Sequence, residues 1–311
     1  MKSFDSFFED FQIVDEEVRN EYIAEQYEIL LEKLITFGGK AYPNFGNVVI
    51  MAGGAGSGKG FVKDNLVGLE GFVFDVDKLK TLAAATPAIQ KRIKDEMGVD
   101  IQDLANNLGD GENVAKLHGI LGDYLKLDDR RMAGLYASIM TASADRKPNI
   151  IFDVTLKDLR KLQNITNQVK SLGYQPANIH IVWVVNDVEV AIDQNAKRAR
   201  TVPVEILINT HRGAANTMAD ILNMGKKLSS YMDGDIVFAF NKVGVDTEIV
   251  KGTGAGKKIG MRGNTKGGMS VVDANYFYVK RAGKGVTPVA KLEKDIRAKI
   301  QSYVPKNVDW S

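Results

Sequence analysis

Residues 47–60 read Asn47-Val48-Val49-Ile50-Met51-Ala52-Gly53-Gly54-Ala55-Gly56-Ser57-Gly58-Lys59-Gly60, an apolar run that breaks into glycines and reaches a lysine. The run has the composition of a buried strand. Glycines let the backbone turn with positive φ, so that successive N–H groups face inward toward an anion. The helix expected after the turn adds the partial positive charge of its N-terminus. Gly53, Gly54, Ala55, Gly56, Ser57, Gly58, Lys59 and Gly60 therefore read as a phosphate-binding loop of the form G-x-x-x-x-G-K, with Lys59 reaching the β- and γ-phosphates of ATP or GTP. The pattern usually ends in a Ser or Thr that ligates Mg²⁺. Here that position is Gly60, followed by Phe61. A Mg²⁺ ion would rely on other side chains, on nucleotide oxygens and on water.

On either side of this loop, short apolar runs alternate with helical periodicity. Val18, Tyr22, Ile23, Tyr27, Leu30, Leu31 and Leu34 recur at helical spacing over 14–37, and Gly38-Gly39 stops that helix. Strands are expected at 47–52, 71–77, 149–153, 179–185 and 235–240. Helices are expected after the loop to about residue 67, over much of 78–147 with a break at Gly109-Asp110-Gly111, and over 157–172, 187–199 and 203–230. Such alternation means an α/β fold with a five-stranded, mostly parallel sheet and helices on both faces. Ligands bind such sheets at the carboxyl ends of their strands. Beyond Val250 the chain changes character. Gly252-Thr253-Gly254-Ala255-Gly256-Lys257 is a flexible basic loop, 270–280 has the look of a strand, and 289–303 of a short helix. The expected organisation is an N-terminal helical segment (1–44), an α/β nucleotide-binding domain (45–250) and a basic Gly/Lys-rich C-terminal extension (251–311).

Composition narrows the function. The chain has no cysteine, which excludes disulfides, cysteine nucleophiles and thiolate metal sites and fits a reducing compartment such as the cytoplasm. No run approaches the ~20 apolar residues that span a bilayer, and the acidic N-terminus is unlike a signal peptide. Net charge is +2, but residues 1–40 hold ten Asp/Glu against four Lys/Arg, and 251–311 hold thirteen Lys/Arg against four Asp/Glu. Two solvated ends that attract each other explain this. The basic end, with Tyr276, Phe277 and Tyr278 among its lysines, is also suited to weak, salt-sensitive contact with nucleic acid.

Three groups of residues sit where chemistry is expected. Asp77 lies just past the second strand, where a carboxylate can take a proton from an attacking hydroxyl, or can cap the next helix. Asp75 is two residues earlier on the same face. Asp153 ends an apolar strand, a position suited to ordering Mg²⁺ or its water, and Thr155 and Lys157 follow on the same edge. Arg198 and Arg200, in Lys197-Arg198-Ala199-Arg200-Thr201-Val202-Pro203, can match the charge spread over a transferred phosphoryl group, or can complement a helix dipole. His211 and Arg212 come next. His118 and His180 read as structural, and no His/Asp/Glu spacing suggests zinc.

The order of these features resembles the zeta-toxin group of P-loop kinases over about residues 45–245. The local matches are Gly56-Ser57-Gly58-Lys59, Phe74-Asp75-Val76-Asp77-Lys78-Leu79-Lys80, 149–155 leading to Ser171-Leu172-Gly173-Tyr174, and Arg200-Thr201-Val202-Pro203. The resemblance implies a P-loop kinase fold and ATP- or GTP-dependent transfer of a phosphoryl group to a hydroxyl. It implies Asp77 as base and Lys80 as a substrate-side cation. Asp153 and Thr155 would contact the acceptor, and Arg200 would lie near the transferred phosphate, with Arg198 standing in for a second arginine. The chain departs from the group at the missing loop hydroxyl, and at Arg131–Gly134, where an acid that helps hold UDP-N-acetylglucosamine is expected. The expected acceptor is therefore a small molecule or nucleotide sugar. A polynucleotide 5′-hydroxyl kinase is an alternative, although that group usually carries arginine where Lys80 stands. A nucleotide-binding structural or interaction protein is another.

Overall fold

The computed structural model describes residues 35–37, 40–42, 46–67, 69, 71–75, 84–107, 110–124, 147–197, 201–249, 269–271 and 275–310. A small hairpin pairs β1 (Ile35–Phe37) with β2 (Lys40–Tyr42). Ile35–Phe37, expected to close a helix over 14–37, are strand instead, and residues 14–34 of that expectation lie outside the described residues. Next comes β3 (Val48–Ala52), then α1 (Lys59–Val62), which widens into a π turn over Lys63–Val67. After β4 (Phe72–Asp75) come α2 (Pro87–Met97), α3 (Ile101–Asn106) and α4 (Gly111–His118). The expected break between helices falls at Asp110, whose carboxylate accepts from the Glu112 N–H as an N-cap.

The second half alternates strand and helix, with two helices in succession before its last parallel strand. It runs β5 (Ile150–Asp153), α5 (Leu159–Ser171), β6 (Ile179–Val185), α6 (Val188–Ala196), α7 (Val204–Asn223) and β7 (Ile236–Phe240). Then come β8 (Thr247–Ile249) and β9 (Met269–Val271), paired with each other, β10 (Tyr276–Lys280) and α8 (Lys294–Tyr303). The main sheet has six strands in the order β10-β7-β6-β3-β5-β4. All neighbours are parallel except β10, which lies antiparallel on β7. The sixth strand corrects the expected five. Its pairing partner lies across the glycine-rich stretch 252–268, so nothing local in the sequence ties it to this sheet.

Every residue of β3 and β6 is buried, as a central strand covered on both faces requires. Alternate side chains feed separate cores. Val48, Ile50 and Ala52 point to one layer with α5, α7 and α8, whereas Val49 and Met51 join Val62 and Val67 on the other. A third core, with Ile93, Ile101, Leu117 and Leu121, holds α2, α3 and α4 together. The last residues complete the first layer. Trp310 is fully buried and stacks on Trp183 of β6 at 5.2 Å between ring centroids.

Chain direction fixes where a ligand can sit. From β3 the chain crosses to β4 on one side of the sheet, and β5 leads back across β3 to β6 on the other. The loop after β3 opens at this reversal, at the carboxyl ends of the parallel strands, where such sheets form a binding crevice.

Candidate phosphate-binding site

The loop leaves β3 through Gly53 at φ 147°. A Cβ there would lie 2.7 Å from both the Ser57 hydroxyl and the Val184 carbonyl oxygen. Gly56 and Gly58 have φ of 75° and 87°, in the left-handed region that favours glycine. Gly54 is glycine for another reason: a side chain would collide with the His211 imidazole. Gly58 would likewise collide with the Asn241 amide. Gly60 differs, since nothing lies within 4 Å of its missing Cβ.

Three side chains from three elements grip the loop carbonyls. The His211 Nε2–H on α7 donates to the Ala55 carbonyl at 2.9 Å, which fixes its tautomer. The Asn241 Nδ2 after β7 donates to the Ser57 carbonyl at 2.8 Å, and the Asn186 Nδ2 after β6 reaches the Gly56 carbonyl at 3.4 Å. These contacts fix which way each amide points, because a flipped Asn would set oxygen against oxygen. In a trans peptide the N–H of the next residue points opposite to the carbonyl. Carbonyls 55 and 57, drawn back into the protein, therefore turn the Gly56 and Gly58 N–H groups toward the open side. The Ala55 N–H is committed elsewhere, donating to Thr210 Oγ1 at 3.0 Å, while that hydroxyl donates to the Leu207 carbonyl at 2.7 Å.

Lys59 opens α1 and folds back over the loop. Its Nζ donates to the carbonyls of Gly53 at 3.1 Å and Gly54 at 3.4 Å, and lies 3.7 Å from Asp153 Oδ1 at the end of β5. The two side chains are 13% and 24% exposed, so the pair faces the crevice without being sealed. Register accounts for the meeting, because Met51 of β3 pairs with Asp153 of β5. Just beyond, the Thr155 carbonyl accepts from the Gly53 N–H at 3.3 Å. Leu156 then takes φ 50° and its side chain enters the core. Helix α7 spans the two edges, since Gly213 lies so close to Lys157 that a Cβ would sit 2.7 Å from the lysine Cβ.

Electrostatics follow the geometry. Burial pushes the His211 imidazole below its ordinary value and the Lys59 ammonium acts in the same direction, while its bond to Ala55 opposes them. Neutral His211 is thus the resident form. Arg212 points elsewhere, donating to Asn209 and Asn307. His180 is buried and accepts from the Asp235 N–H through Nδ1, at the opposite end of β6 from the loop.

Of the residues singled out in the sequence, the loop glycines, Lys59, Asp153 and the Thr155 backbone meet at one place. Asp77, Lys80, Arg198 and Arg200 lie outside the described residues. The approach to the arginine segment is defined from both ends. Asn195 holds Val202 by its N–H and its carbonyl, and Pro203 packs against Gly111. Sequence reasoning missed Asn186, Asn241 and Thr210, and named His211 without assigning it a role. The available signal was a polar amide placed directly after an apolar strand, at Val185-Asn186 and Phe240-Asn241.

The family described as Zeta toxin matches residues 123–237. That stretch runs from the approach to β5 into β7 and holds Asp153, Thr155 and His211, with the glycine-rich loop outside it. The resemblance read from the residues holds over this stretch. No curated protein matches the chain in sequence. Among solved structures, a chain from the PezAT chromosomal toxin-antitoxin system of Streptococcus pneumoniae is 11% identical, with TM-score 0.40 over 74% of this chain and 80% of that one. A chain of AvrRxo1-ORF1:AvrRxo1-ORF2 with sulphate ions is 11% identical, with TM-score 0.47 over 93% and 73%. A chain of the same pair with ATP is 10% identical, with TM-score 0.38 over 71% of this chain and 62% of that one.

Proposed function

We propose that this chain, zeta-toxin-like over residues 123–237, is a nucleotide-dependent kinase that moves the γ-phosphoryl group of ATP or GTP to a hydroxyl of a small molecule or nucleotide sugar. One observation carries the reading. At the reversal point of a parallel sheet, a glycine loop turns N–H groups toward the crevice, with Lys59 beside Asp153 at its mouth. Lys59 exchanges its loop carbonyls for phosphate oxygens when nucleotide enters. The acceptor oxygen attacks the γ-phosphorus, the bond to the β-bridging oxygen breaks, and the hydroxyl proton passes to Asp77. Arg198 and Arg200 meet the charge on the moving group, and Lys80, Asp153 and Thr155 hold the acceptor.

Mg²⁺ fits this site in a restricted way. No cluster of three or more potential ligands exists among the described residues, and Gly60 offers no hydroxyl. Asp153 supplies a carboxylate, which suffices for an ion bound mainly by nucleotide phosphates and water. When bound, the ion neutralises phosphate charge.

The test is calorimetry with ATP and GTP on the parent and Lys59→Ala, followed by γ-labelled nucleotide against sugar nucleotides, nucleosides and 5′-hydroxyl oligonucleotides. Affinity lost in Lys59→Ala and label on a small-molecule hydroxyl support the proposal. Equal affinity in both proteins ends it. Label on the oligonucleotide instead moves the acceptor to nucleic acid.

A further inference from the structure

We infer that His211 and Asn241, seconded by Asn186, are positioning residues that set the phosphate-binding face of the loop from behind. The inference rests on the proposed nucleotide binding and extends it to residues that act through the loop carbonyls they hold. A glycine-rich loop is free to rotate each peptide plane, and rotating one plane turns a donor N–H into a repelling carbonyl. Something must hold the planes. Here the carbonyls of Ala55, Gly56 and Ser57 each accept a side-chain donor, at 2.9, 3.4 and 2.8 Å. The donors come from helix α7 and from the ends of β6 and β7, and all three of these residues are buried. The loop is shaped around them, because Gly54 and Gly58 lack the side chains that would strike His211 and Asn241. Without the usual hydroxyl at position 60, fewer of the loop's own groups bind nucleotide and metal, so orientation of the amides matters more.

The arrangement separates the loop amides into two kinds. Gly56 and Gly58 N–H are presented to the ligand, whereas Ala55 N–H is held by Thr210 and Ser57 N–H by the Gly54 carbonyl.

The experiment uses the full chain and two probes, ATP and inorganic tripolyphosphate, the second lacking a base. His211→Phe keeps a ring against Gly54 and removes the donor, and His211→Gln restores a donor at the place of Nε2. Asn241→Leu removes the second donor at similar volume. The expected result is a loss of about tenfold in affinity for both probes in His211→Phe and in Asn241→Leu, about 1.4 kcal/mol each, with most of it recovered in His211→Gln. His211→Phe binding within twofold of the parent, or His211→Gln losing as much as His211→Phe, overturns the inference. If Lys59→Ala has no effect either, the nucleotide reading itself falls, and the two failures are thereby distinguished. Should a variant not fold, the parent alone decides. Tripolyphosphate should shift the amide resonances of Gly56 and Gly58 far more than that of Ala55. Equal shifts at Ala55 and Gly58 overturn the assignment.

Discussion

Glycines at positions 58 and 60 occupy one motif and face opposite constraints. Gly58 sits at φ 87° with Asn241 where a side chain would go. Gly58→Ala should abolish ATP binding and lower the melting temperature, both readable in one thermal shift titration. Gly60 lies in α1 with open space around its missing Cβ. Gly60→Ser should fold normally, gain helix propensity and tighten ATP binding several-fold in Mg²⁺ but not in EDTA. Unchanged Mg²⁺ dependence by calorimetry would mean that another residue already fills the hydroxyl position. Asp77→Asn should lower phosphoryl transfer by ~10²-fold with nucleotide affinity intact, if Asp77 is the base. A fall in thermal stability alone would mark it as a helix cap. His211 sets a pH dependence. Its folded value is depressed below the ordinary 6.5, so the folded state binds fewer protons than the unfolded one. The stability it contributes is fully present above the unfolded value and is lost as pH falls through the folded value. Urea unfolding from about pH 8 to 5 should therefore show a steeper acid loss in the parent than in His211→Gln.

At the scale of elements, the C-terminal helix behaves as part of the sheet layers. Its Lys299 and Tyr303 both bond the buried Asp246 carboxylate, at 2.5 and 2.9 Å, and that carboxylate also accepts from the Lys242 N–H, one residue after Asn241. Burial and the Asp246 carboxylate push the Tyr303 hydroxyl above its ordinary range, so it remains a donor. The run to Trp310 is pinned by Gln301, which accepts from the Trp310 N–H and donates to the Val308 carbonyl. Trp310→Ala should cost ~3–5 kcal/mol in urea unfolding, the range for a large buried aromatic. A loss under about 1 kcal/mol would show that this segment is not needed by the core.

For the whole molecule, charge and packing have to be tested apart. Removing 251–311 would delete β10 and Trp310 together with the basic charges, and so unfold the first core. Replacing Lys251, Lys257, Lys258, Arg262 and Lys266 by Gln leaves those elements in place. We expect the parent to bind oligonucleotide weakly with a steep salt dependence, and the five-fold variant to lose most of that slope. Binding that persists in the variant at high salt would instead favour a polynucleotide acceptor. Among the described residues no helix is long and apolar enough to cross a membrane.

The loop from Gly53 to Gly60, the strands around it and the helices between them were legible because their causes are local. Positive φ asks for glycine, a buried strand asks for an apolar run, and Ile179–Val185 was read to the residue. Asp153 was legible as an acid that ends a strand, but its place beside Lys59 comes from the pairing of β3 with β5. The rest depends on residues far apart in the chain. His211, Asn186 and Asn241 lie 156, 130 and 184 residues from the carbonyls they hold, and no periodicity links them. The sixth strand and the stacking of Trp310 on Trp183 have the same origin. The sequence by itself determined that a glycine-rich loop ending in a lysine would sit at the end of a parallel sheet. Only the tertiary structure decided which side chains hold its peptide planes, because that choice is made by packing distant elements and not by the conformation of any one of them.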